Sequence, residues 1–326
     1  MIENPLDSGH STLGRDNIFN YELGQQPLDV VQDYIPIGAT TTLFGQPGLG
    51  KTFAAMSLVM SVVTGRPWCG ATIDTPGNAG MLAFECSHEI VQQRVRAYTS
   101  YYHICNEDLQ YNPYIRSNEC LFLTLPDGEG VLQDYIQRHE LRLLVIDTLS
   151  KVINGDENST KDMNELSKCL SRIAANTQSA IVIVHHEAKA SAGRKKGTSR
   201  GSGALLADVR SEMRVHDTNN QKTLEHTKAN NSEKRKAVKY NLVNKELGLD
   251  KHGKRIKAGV LVPEKTLEEQ IQDFNSGNYQ YTRKDFELHW DLEKTATRDR
   301  LKKLREDGKV TLIGRQYHTK TPLNEL

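Results

Sequence analysis

A glycine-rich stretch that ends in a lysine and a threonine is the first part of this sequence that could do chemistry. Residues 45–52 read GQPGLGKT and fit the pattern G-x-x-x-x-G-K-[ST] at every fixed position. In this pattern backbone N–H groups surround the phosphates of a nucleotide, the lysine binds the β- and γ-phosphates, and the threonine hydroxyl binds Mg²⁺. The sequence therefore predicts a site for ATP and Mg²⁺. The predicted nucleotide contacts are Gly45, Gln46, Pro47, Gly48, Leu49, Gly50, Lys51, Thr52 and Phe53.

A carboxylate for the metal follows later in the chain. The stretch LRLLVID (141–147) predicts a buried strand beside the phosphate loop, and Asp147 ends it. A carboxylate in this position can orient Mg²⁺ and its waters, so Thr52 and Asp147 are the predicted metal ligands. Many buried strands end in aspartate, and the pattern gains its weight from lying about 95 residues after a phosphate loop.

Glu85 ends MLAFE, the first predicted strand after the helix of the phosphate loop. It could be the general base that polarises the attacking water, or it could cap the helix that follows. Thr148, and not a glutamate, follows Asp147. A water-activating carboxylate must then come from elsewhere, which favours the catalytic interpretation of Glu85.

Paired histidines end the strand IVIVHH (181–186). A polar side chain at such a strand end can contact the γ-phosphate and report its presence to the next loop. We interpret His186 as this sensor and His185 as structural. The alternative is a pair of buried or surface histidines without a ligand, and no partner spacing supports zinc.

A basic stretch, KASAGRKKGTSRGSGALLADVR (189–210), follows the histidines. Its glycines, serines and threonines predict a mobile loop that packs poorly. Its charge suits a nucleic-acid backbone, although a merely solvated loop is the alternative. The predicted DNA contacts in it are Lys189, Arg194, Lys195, Lys196 and Arg200.

The elements that must position these residues alternate between β-branched runs and amphipathic stretches. Such alternation predicts an α/β fold with a mostly parallel sheet covered by helices. Strands are predicted at 40–44, 79–85, 120–125, 141–147 and 179–186, with added strands at 211–217, 223–229, 236–243 and 257–263. A turn, NKELGLDKHGK (244–254), is predicted between the last two strands, and helices are predicted at 51–65, 87–103, 129–139 and 160–177.

The 326 residues are enough for about two domains. We predict a flexible lead (1–29), an ATPase domain (30–263) and a small C-terminal domain (264–326). Five scattered cysteines predict a reducing cytoplasm and no zinc site. We expect neither a secretion signal nor a membrane span. A net charge of only +1 means that attraction to nucleic acid must come from local clusters.

The C-terminal residues predict a winged helix-turn-helix. Leu267 and Ile271 would lie on a first helix, a second helix would follow Thr282, and KVTLIGRQYHT would form the wing. A third helix would turn Ala296, Leu301 and Leu304 inward and end at Gly308. The predicted contacts to duplex DNA are Thr297, Arg298, Arg300 and Lys302, with Thr295 on the same face. Acidic residues interleave with them, and docking of a protein partner is the alternative.

With these pieces in place, residues 30–262 resemble the RecA-like ATPases of the RepA type, close kin of the DnaB replicative helicases. Only the phosphate loop is specific by itself; the order and spacing of the pieces carry the resemblance. The matching pieces are DYIPIGATTTLFGQPGLGKT, TGRPWCGATIDTPGNAGMLAFECSHEIVQQRVRAY, LLVIDTLS, IVIVHHEAKA, RGSGALLADVR and LEHTKANN.

The resemblance implies a ring, usually a hexamer, with ATP between neighbouring subunits and single-stranded DNA in the central channel. It implies Lys51 on phosphate, Glu85 as base, His186 as sensor, and Arg210 and Lys228 as fingers that reach the neighbour's ATP. Asn230 stands where relatives often have an arginine. The identity of the arginine finger therefore stays open, and Arg214 is a further candidate beside Arg210.

Two functions remain in view. The first is an ATP-driven ring helicase that acts in replication of a plasmid, phage or other mobile element, in a prokaryotic cytoplasm. The second is a non-motor DNA-binding ATPase whose ATP acts as an assembly switch, such as a replication regulator, recombination mediator or helicase loader. A small-molecule or protein kinase is disfavoured because no substrate lid is evident.

Overall fold

The structure, a computed structural model, describes most of the chain. The described residues are 28–102, 104–105, 109–117, 121–125, 127–156, 159–187, 208–264, 279–307, 309–313 and 316–319. The predicted lead up to residue 27, the DNA contacts between Lys189 and Arg200, and the predicted helix of Leu267 and Ile271 lie outside these residues.

Strands provide the frame of the molecule. Strands β1 (Asp29–Val31) and β2 (Ile35–Pro36) pair with each other. Nine strands form one sheet among the described residues: β3 (Thr40–Gly45), β4 (Asn78–Ala83), β5 (Pro113–Ser117), β6 (Leu141–Asp147), β7 (Ala180–His186), β8 (Ser211–Thr218), β9 (Gln221–Ala229), β10 (Val238–Leu249) and β11 (Arg255–Pro263).

The order of this sheet is β11-β10-β9-β8-β3-β7-β6-β4-β5. The six strands from β8 to β5 are parallel, and β9, β10 and β11 extend the sheet as antiparallel strands. The predicted α/β fold with a mostly parallel sheet is confirmed. Strand β7 separates β6 from β3, so the strand of Asp147 is not the immediate neighbour of the strand that leads into the phosphate loop.

Helices cover both faces of the parallel part. They are α1 (Lys51–Thr64), α2 (His88–Tyr101), α3 (Gly128–Arg138) and α4 (Thr160–Thr177). Helix α1 ends at Gly65, whose φ of 68° is left-handed, which is the stop that the sequence predicts. The side chain of Ser159 accepts a hydrogen bond from the backbone N–H of Asp162 (3.3 Å) and caps α4.

Successive residues of each central strand enter opposite cores. Leu143 and Val145 of β6 pack in the layer beneath α1, whereas Leu144 and Ile146 pack against α3 and α4. Strands buried on both faces read as continuous apolar runs, and these runs mark them in the sequence.

Two predicted elements differ from the structure. Residues 121–125 form no strand; Leu123 is buried instead beneath α3 and α4, and its N–H donates to the carbonyl of Val152 (2.8 Å). The strand of this region is β5, earlier in the chain. The predicted turn at 244–254 is mostly strand, because β10 continues to Leu249 and pairs with β11 to its end.

The C-terminal elements are β12 (Tyr279–Thr282), α5 (Arg283–Trp290), α6 (Lys294–Glu306), β13 (Thr311–Ile313) and β14 (Gln316–Thr319). The three strands form an antiparallel sheet in the order β12-β14-β13. Leu301 and Leu304 face inward as predicted. The prediction for Ala296 is wrong: Ala296 is exposed and Thr297 is fully buried in its place.

Within the part of the chain that the structure describes, no helix has the length and apolar character needed to cross a membrane.

Candidate nucleotide-binding site

The predicted chemical residues meet at one edge of the sheet. In the parallel ladders Gly45 pairs with His186, and Ala83 pairs with Asp147. The carboxyl ends of β3, β7, β6 and β4 therefore lie together, with the phosphate loop (residues 45–52) between β3 and α1. Ligands of open α/β sheets bind outside the carboxyl ends of the strands, which is where these side chains lie.

The glycines of the phosphate loop are required for two different reasons. A Cβ at Gly45 would collide with the backbone carbonyl of Val215 on β8. Gly48 and Gly50 have φ values of 80° and 98°, in the left-handed region that other residues rarely adopt. The loop thus turns tightly and delivers the chain to the N-terminus of α1, where free N–H groups favour an anion.

Lys51 is buried within the loop, with 7% of its surface exposed. Its Nζ donates to the carbonyls of Gly45 and Gln46, each at 2.9 Å. Burial lowers the pKa of Lys51, and the nearby Asp147, Glu85 and Glu187 counteract this effect in part. The ammonium group is therefore held by loop carbonyls at the position where phosphate oxygens would arrive.

Asp147 and Thr52 lie together, as the metal prediction requires. Burial is the main cause that raises the pKa of Asp147, and a hydrogen bond from Thr52 lowers it. The repulsion of Glu85 raises this pKa further, and the attraction of Lys51 opposes it. The hydroxyl of Thr148 donates to the carbonyl of Val184 (2.9 Å) and ties the end of β6 to β7.

This donor set fits Mg²⁺. A hydroxyl and a carboxylate supply hard oxygen ligands, and Mg²⁺ is usually held by one or two protein groups together with substrate phosphates and water. Among the described residues no cluster of three or more His, Cys, Asp or Glu side chains is arranged to hold a metal alone. Thr52 and Asp147 would hold the ion next to the phosphates.

Glu85 lies in the exposed turn between β4 and α2 rather than in the strand itself. It is close enough to Lys51 and Asp147 to influence the pKa values of both. The capping alternative is not supported, because Ser87 caps α2 by accepting a hydrogen bond from the N–H of Ile90 (3.4 Å). Glu85 is thus an exposed carboxylate at the mouth of the site.

The two histidines point to different environments. His186 is partly exposed, and its Nδ1 lies 3.4 Å from Nζ of Lys51. His185 is buried in the core of the sheet. This is the arrangement that a sensor at 186 and a structural residue at 185 would need.

Glu187 and Arg214 form an ion pair that the sequence interpretation missed. Glu187 follows β7 directly, is 4% exposed, and accepts a hydrogen bond from Nη2 of Arg214 on β8 (2.8 Å). Its N–H donates to the carbonyl of Gly45 (3.0 Å), so the pair lies directly behind the phosphate loop. Arg214 is therefore engaged within its own chain, which argues against a role as a finger toward a neighbour. The only signal in the sequence was a glutamate after the paired histidines.

Arg94 of α2 is a second missed residue. Its guanidinium lies 4.5 Å from the centre of the Phe53 ring, and Nη1 donates to Sγ of Cys86 (3.1 Å). Its charge also lowers the pKa of Asp147. The ring of Phe53 packs against Arg94 and against Gly259 of β11, so a nucleotide contact of Phe53 would have to use its backbone.

Arg210 and Lys228 lie at the other edge of the sheet. Arg210 immediately precedes β8, and Lys228 pairs with Glu212 near the start of that strand. On β8, Val215 lies level with the start of the phosphate loop, because it pairs with Gly45. Val215 is five residues after Arg210, which is about 16 Å at 3.3 Å per residue. The two cations therefore do not belong to the site of their own chain.

The predicted DNA contacts of the C-terminal helix fall into two groups. Thr297 is fully buried, and its hydroxyl donates to the carbonyl of Glu293 (3.1 Å), so the prediction that it contacts DNA is wrong. Arg298 and Lys302 are exposed on α6, and Lys302 lies 4.0 Å from Glu306. Arg300 is exposed and stacks on Trp290, 4.1 Å from the ring centre.

The parallel sheet, the phosphate loop and the Thr52–Asp147 pair together define a P-loop ATPase. A family model described as an AAA domain matches residues 21–192, more than half of the chain. The chain belongs to this family of RecA-like P-loop ATPases. The match contains the phosphate loop, Glu85, Asp147 and His186 and ends before β8. It confirms the predicted ATPase class.

Proposed function

We propose that this protein is an ATP-driven, ring-forming DNA helicase or translocase that acts in replication of a plasmid, phage or other mobile element. The observation that carries the proposal is the place of Arg210 and Lys228, at the sheet edge opposite the phosphate loop of the same chain. Cations that stabilise a phosphoryl-transfer transition state must reach the phosphate. These two can do so only in another copy, which calls for an assembly that places the two edges face to face.

The residues of the site divide the hydrolysis between them. Lys51 would exchange the carbonyls of Gly45 and Gln46 for the β- and γ-phosphates of ATP. Thr52 and Asp147 would hold Mg²⁺, which would supply positive charge against the phosphates. Glu85 accepts a proton from the attacking water. The oxygen of this water bonds to the γ-phosphorus as the bond between the γ-phosphorus and the β–γ bridging oxygen breaks. ADP and phosphate are released, and the finger cations of the neighbour stabilise the transition state.

His186 offers a route from nucleotide to DNA. It contacts Lys51 on one side and stands three residues before the predicted DNA-binding stretch that contains Lys195 and Lys196. Loss of the γ-phosphate would change the contacts of His186 and so the position of that stretch on single-stranded DNA in the ring channel. The proposed winged helix at the C-terminus would contact duplex DNA or a protein partner through Arg298, Arg300 and Lys302.

Hydrolysis and strand displacement test the proposal against the alternative of an assembly switch. A motor shows ATP hydrolysis that single-stranded DNA stimulates, together with displacement of a labelled strand, and Lys51→Ala abolishes both. ATP-dependent oligomerisation with slow turnover and no displacement would instead establish the non-motor switch. A protein that hydrolyses ATP at the same rate with and without single-stranded DNA would contradict the motor.

A further inference from the structure

The hairpin of β10 and β11 carries a concentration of positive charge that the proposed function does not use. Its distal half, residues 245–257, contains five cationic side chains against two carboxylates, in a chain whose net charge is +1. The cationic side chains are Lys245, Lys251, Lys254, Arg255 and Lys257.

Both carboxylates of this segment are already engaged. Glu246 lies 3.7 Å from Arg255 on the opposite strand. Oδ1 of Asp250 accepts hydrogen bonds from the N–H groups of His252 and Lys254, each at 2.8 Å. The tip is thus a defined turn from Asp250 to Lys254, closed by the bond from the N–H of Asp250 to the carbonyl of Lys254 (2.8 Å).

The hairpin extends past the rest of the sheet. Strand β10 pairs with β9 only from Val238 to Tyr240, whereas its pairing with β11 continues to Leu249. The nine residues from Asn241 to Leu249 span about 30 Å at 3.3 Å per residue. Lys251, Lys254 and Lys257 are exposed at this end, and Leu249 beside them is 64% exposed.

The base of the same hairpin holds the phosphate loop. The hydroxyl of Tyr240 donates to the carbonyl of Leu49 (2.9 Å), and Cδ1 of Leu242 lies 3.1 Å from the place where a Cβ of Gly50 would be. Ala258 and Val260 pack with Met60 of α1 and Tyr98 of α2. A force on the tip would therefore reach the nucleotide site through a packed ribbon.

We propose that this hairpin binds duplex DNA through Lys251, Lys254 and Lys257 and passes the contact to the phosphate loop. A two-stranded ribbon fits the major groove of B-DNA, which is about 12 Å wide, and lysines on its turn reach the phosphates at the rim. The exposed Leu249 can contact bases or sugars, as apolar side chains do in other DNA-binding ribbons and wedges. The inference rests on the proposed function of a DNA-dependent ATPase.

The test compares the full-length protein with the tip variant Lys251→Glu/Lys254→Glu. Arg138→Glu/Lys161→Glu, at exposed positions on α3 and α4, is the control with the same change of charge. Anisotropy of a labelled duplex and a labelled single strand is measured over a series of salt concentrations. We expect the tip variant to bind the duplex about tenfold or more weakly. The slope of log K against log salt concentration should fall by about 1.8, since each lost phosphate contact removes about 0.9.

The tip variant should also lose the stimulation of ATP hydrolysis by duplex DNA while its hydrolysis without DNA is unchanged. Duplex binding equal to that of the wild type and the control would overturn the inference and leave the proposed function in place. Loss of oligomerisation in light scattering would overturn it too, since the hairpin would then join copies of the chain. A wild-type protein that binds no DNA at all would remove the proposed function itself.

Discussion

At the scale of single residues, Lys51 is an example of a site residue that can be predicted from the sequence. The pattern of residues 45–52 predicts the lysine, the threonine and the glycines, because the phosphate geometry fixes both residue type and spacing. The Glu187–Arg214 pair has no such local pattern. It forms because β7 and β8 both flank β3, which brings together residues 27 positions apart. Partners created by strand order are not visible until the order is known.

Asp147→Asn should separate stability from function. Since burial raises the pKa of Asp147, folding disfavours its charged form. A raised pKa contributes stability that is present below the unfolded-state value and is lost as pH rises through the folded-state value. The nucleotide-free Asn variant should therefore unfold a few degrees above the wild type at pH 7, although its Mg²⁺-dependent hydrolysis falls by about 100-fold or more.

The pH dependence checks this explanation. Thermal unfolding without nucleotide should show the advantage of the Asn variant shrinking as pH falls through the raised pKa towards the ordinary value of 3.8, because Asp147 of the wild type then becomes neutral. A variant that is less stable than the wild type at pH 7, or an advantage that does not change with pH, would contradict it.

Glu85→Gln should slow hydrolysis and leave binding intact. If Glu85 accepts the proton of the attacking water, the glutamine side chain of the variant cannot do so, and kcat should fall by about 10²–10⁴-fold. The affinity for ATP should stay near that of the wild type, since Lys51 and the phosphate loop are unchanged. Glu89→Gln, on the first turn of α2, is the matched control. Phosphate release and ATP binding are measured together, and hydrolysis by Glu85→Gln at the control rate would remove Glu85 from the chemistry.

At the scale of elements, the buried parallel strands are the most predictable, since runs such as LRLLVID can hardly be anything else. Errors arise where one apolar run suits two environments. In the segment 121–125, Leu123 is buried in the cluster with α3 and α4 and Leu121 packs against it, although the segment forms no strand. In α6 the first inward residue is Thr297 rather than Ala296, because the hydroxyl of Thr297 bonds to the preceding turn and the side chain is buried. A buried polar residue whose hydrogen bond is made to the backbone of its own helix is easily taken for a surface residue from the sequence.

Two substitutions on α6 test whether Thr297 is a buried residue rather than a DNA contact. Thr297→Ala should lower the free energy of unfolding of the C-terminal elements by about 1–2 kcal/mol, from the lost hydrogen bond and methyl group. It should not weaken duplex binding. The neighbouring Arg298→Ala should weaken duplex binding by a few-fold with no change in stability. Thermal unfolding and anisotropy on the full chain measure both, and weaker DNA binding by Thr297→Ala at unchanged stability would restore the original prediction.

At the scale of the whole molecule, the sheet has two functional edges. One holds Lys51, Asp147, Glu85 and His186, and the other presents Arg210 in a surface cleft with Lys168 and Arg172. Sequence spacing alone could not place these sets on opposite edges. The direction of β8, parallel to β3, does so. A molecule with a phosphate cradle on one edge and cations on the other is suited to head-to-tail assembly, which closes into a ring when the rotation permits.

The most direct test of this account mixes two inactive proteins. Lys51→Ala lacks a working cradle but retains the cations, whereas Arg210→Ala/Lys228→Ala retains the cradle and lacks them. Each alone should hydrolyse ATP at a small fraction of the wild-type rate. If the neighbour supplies the cations, mixing the two variants under conditions of subunit exchange should restore a substantial part of the DNA-stimulated rate. The active sites would be the interfaces where the phosphate loop of the Arg210→Ala/Lys228→Ala variant meets the cations of the Lys51→Ala variant. Mixed assemblies that form but remain as inactive as the separate proteins would contradict the shared site.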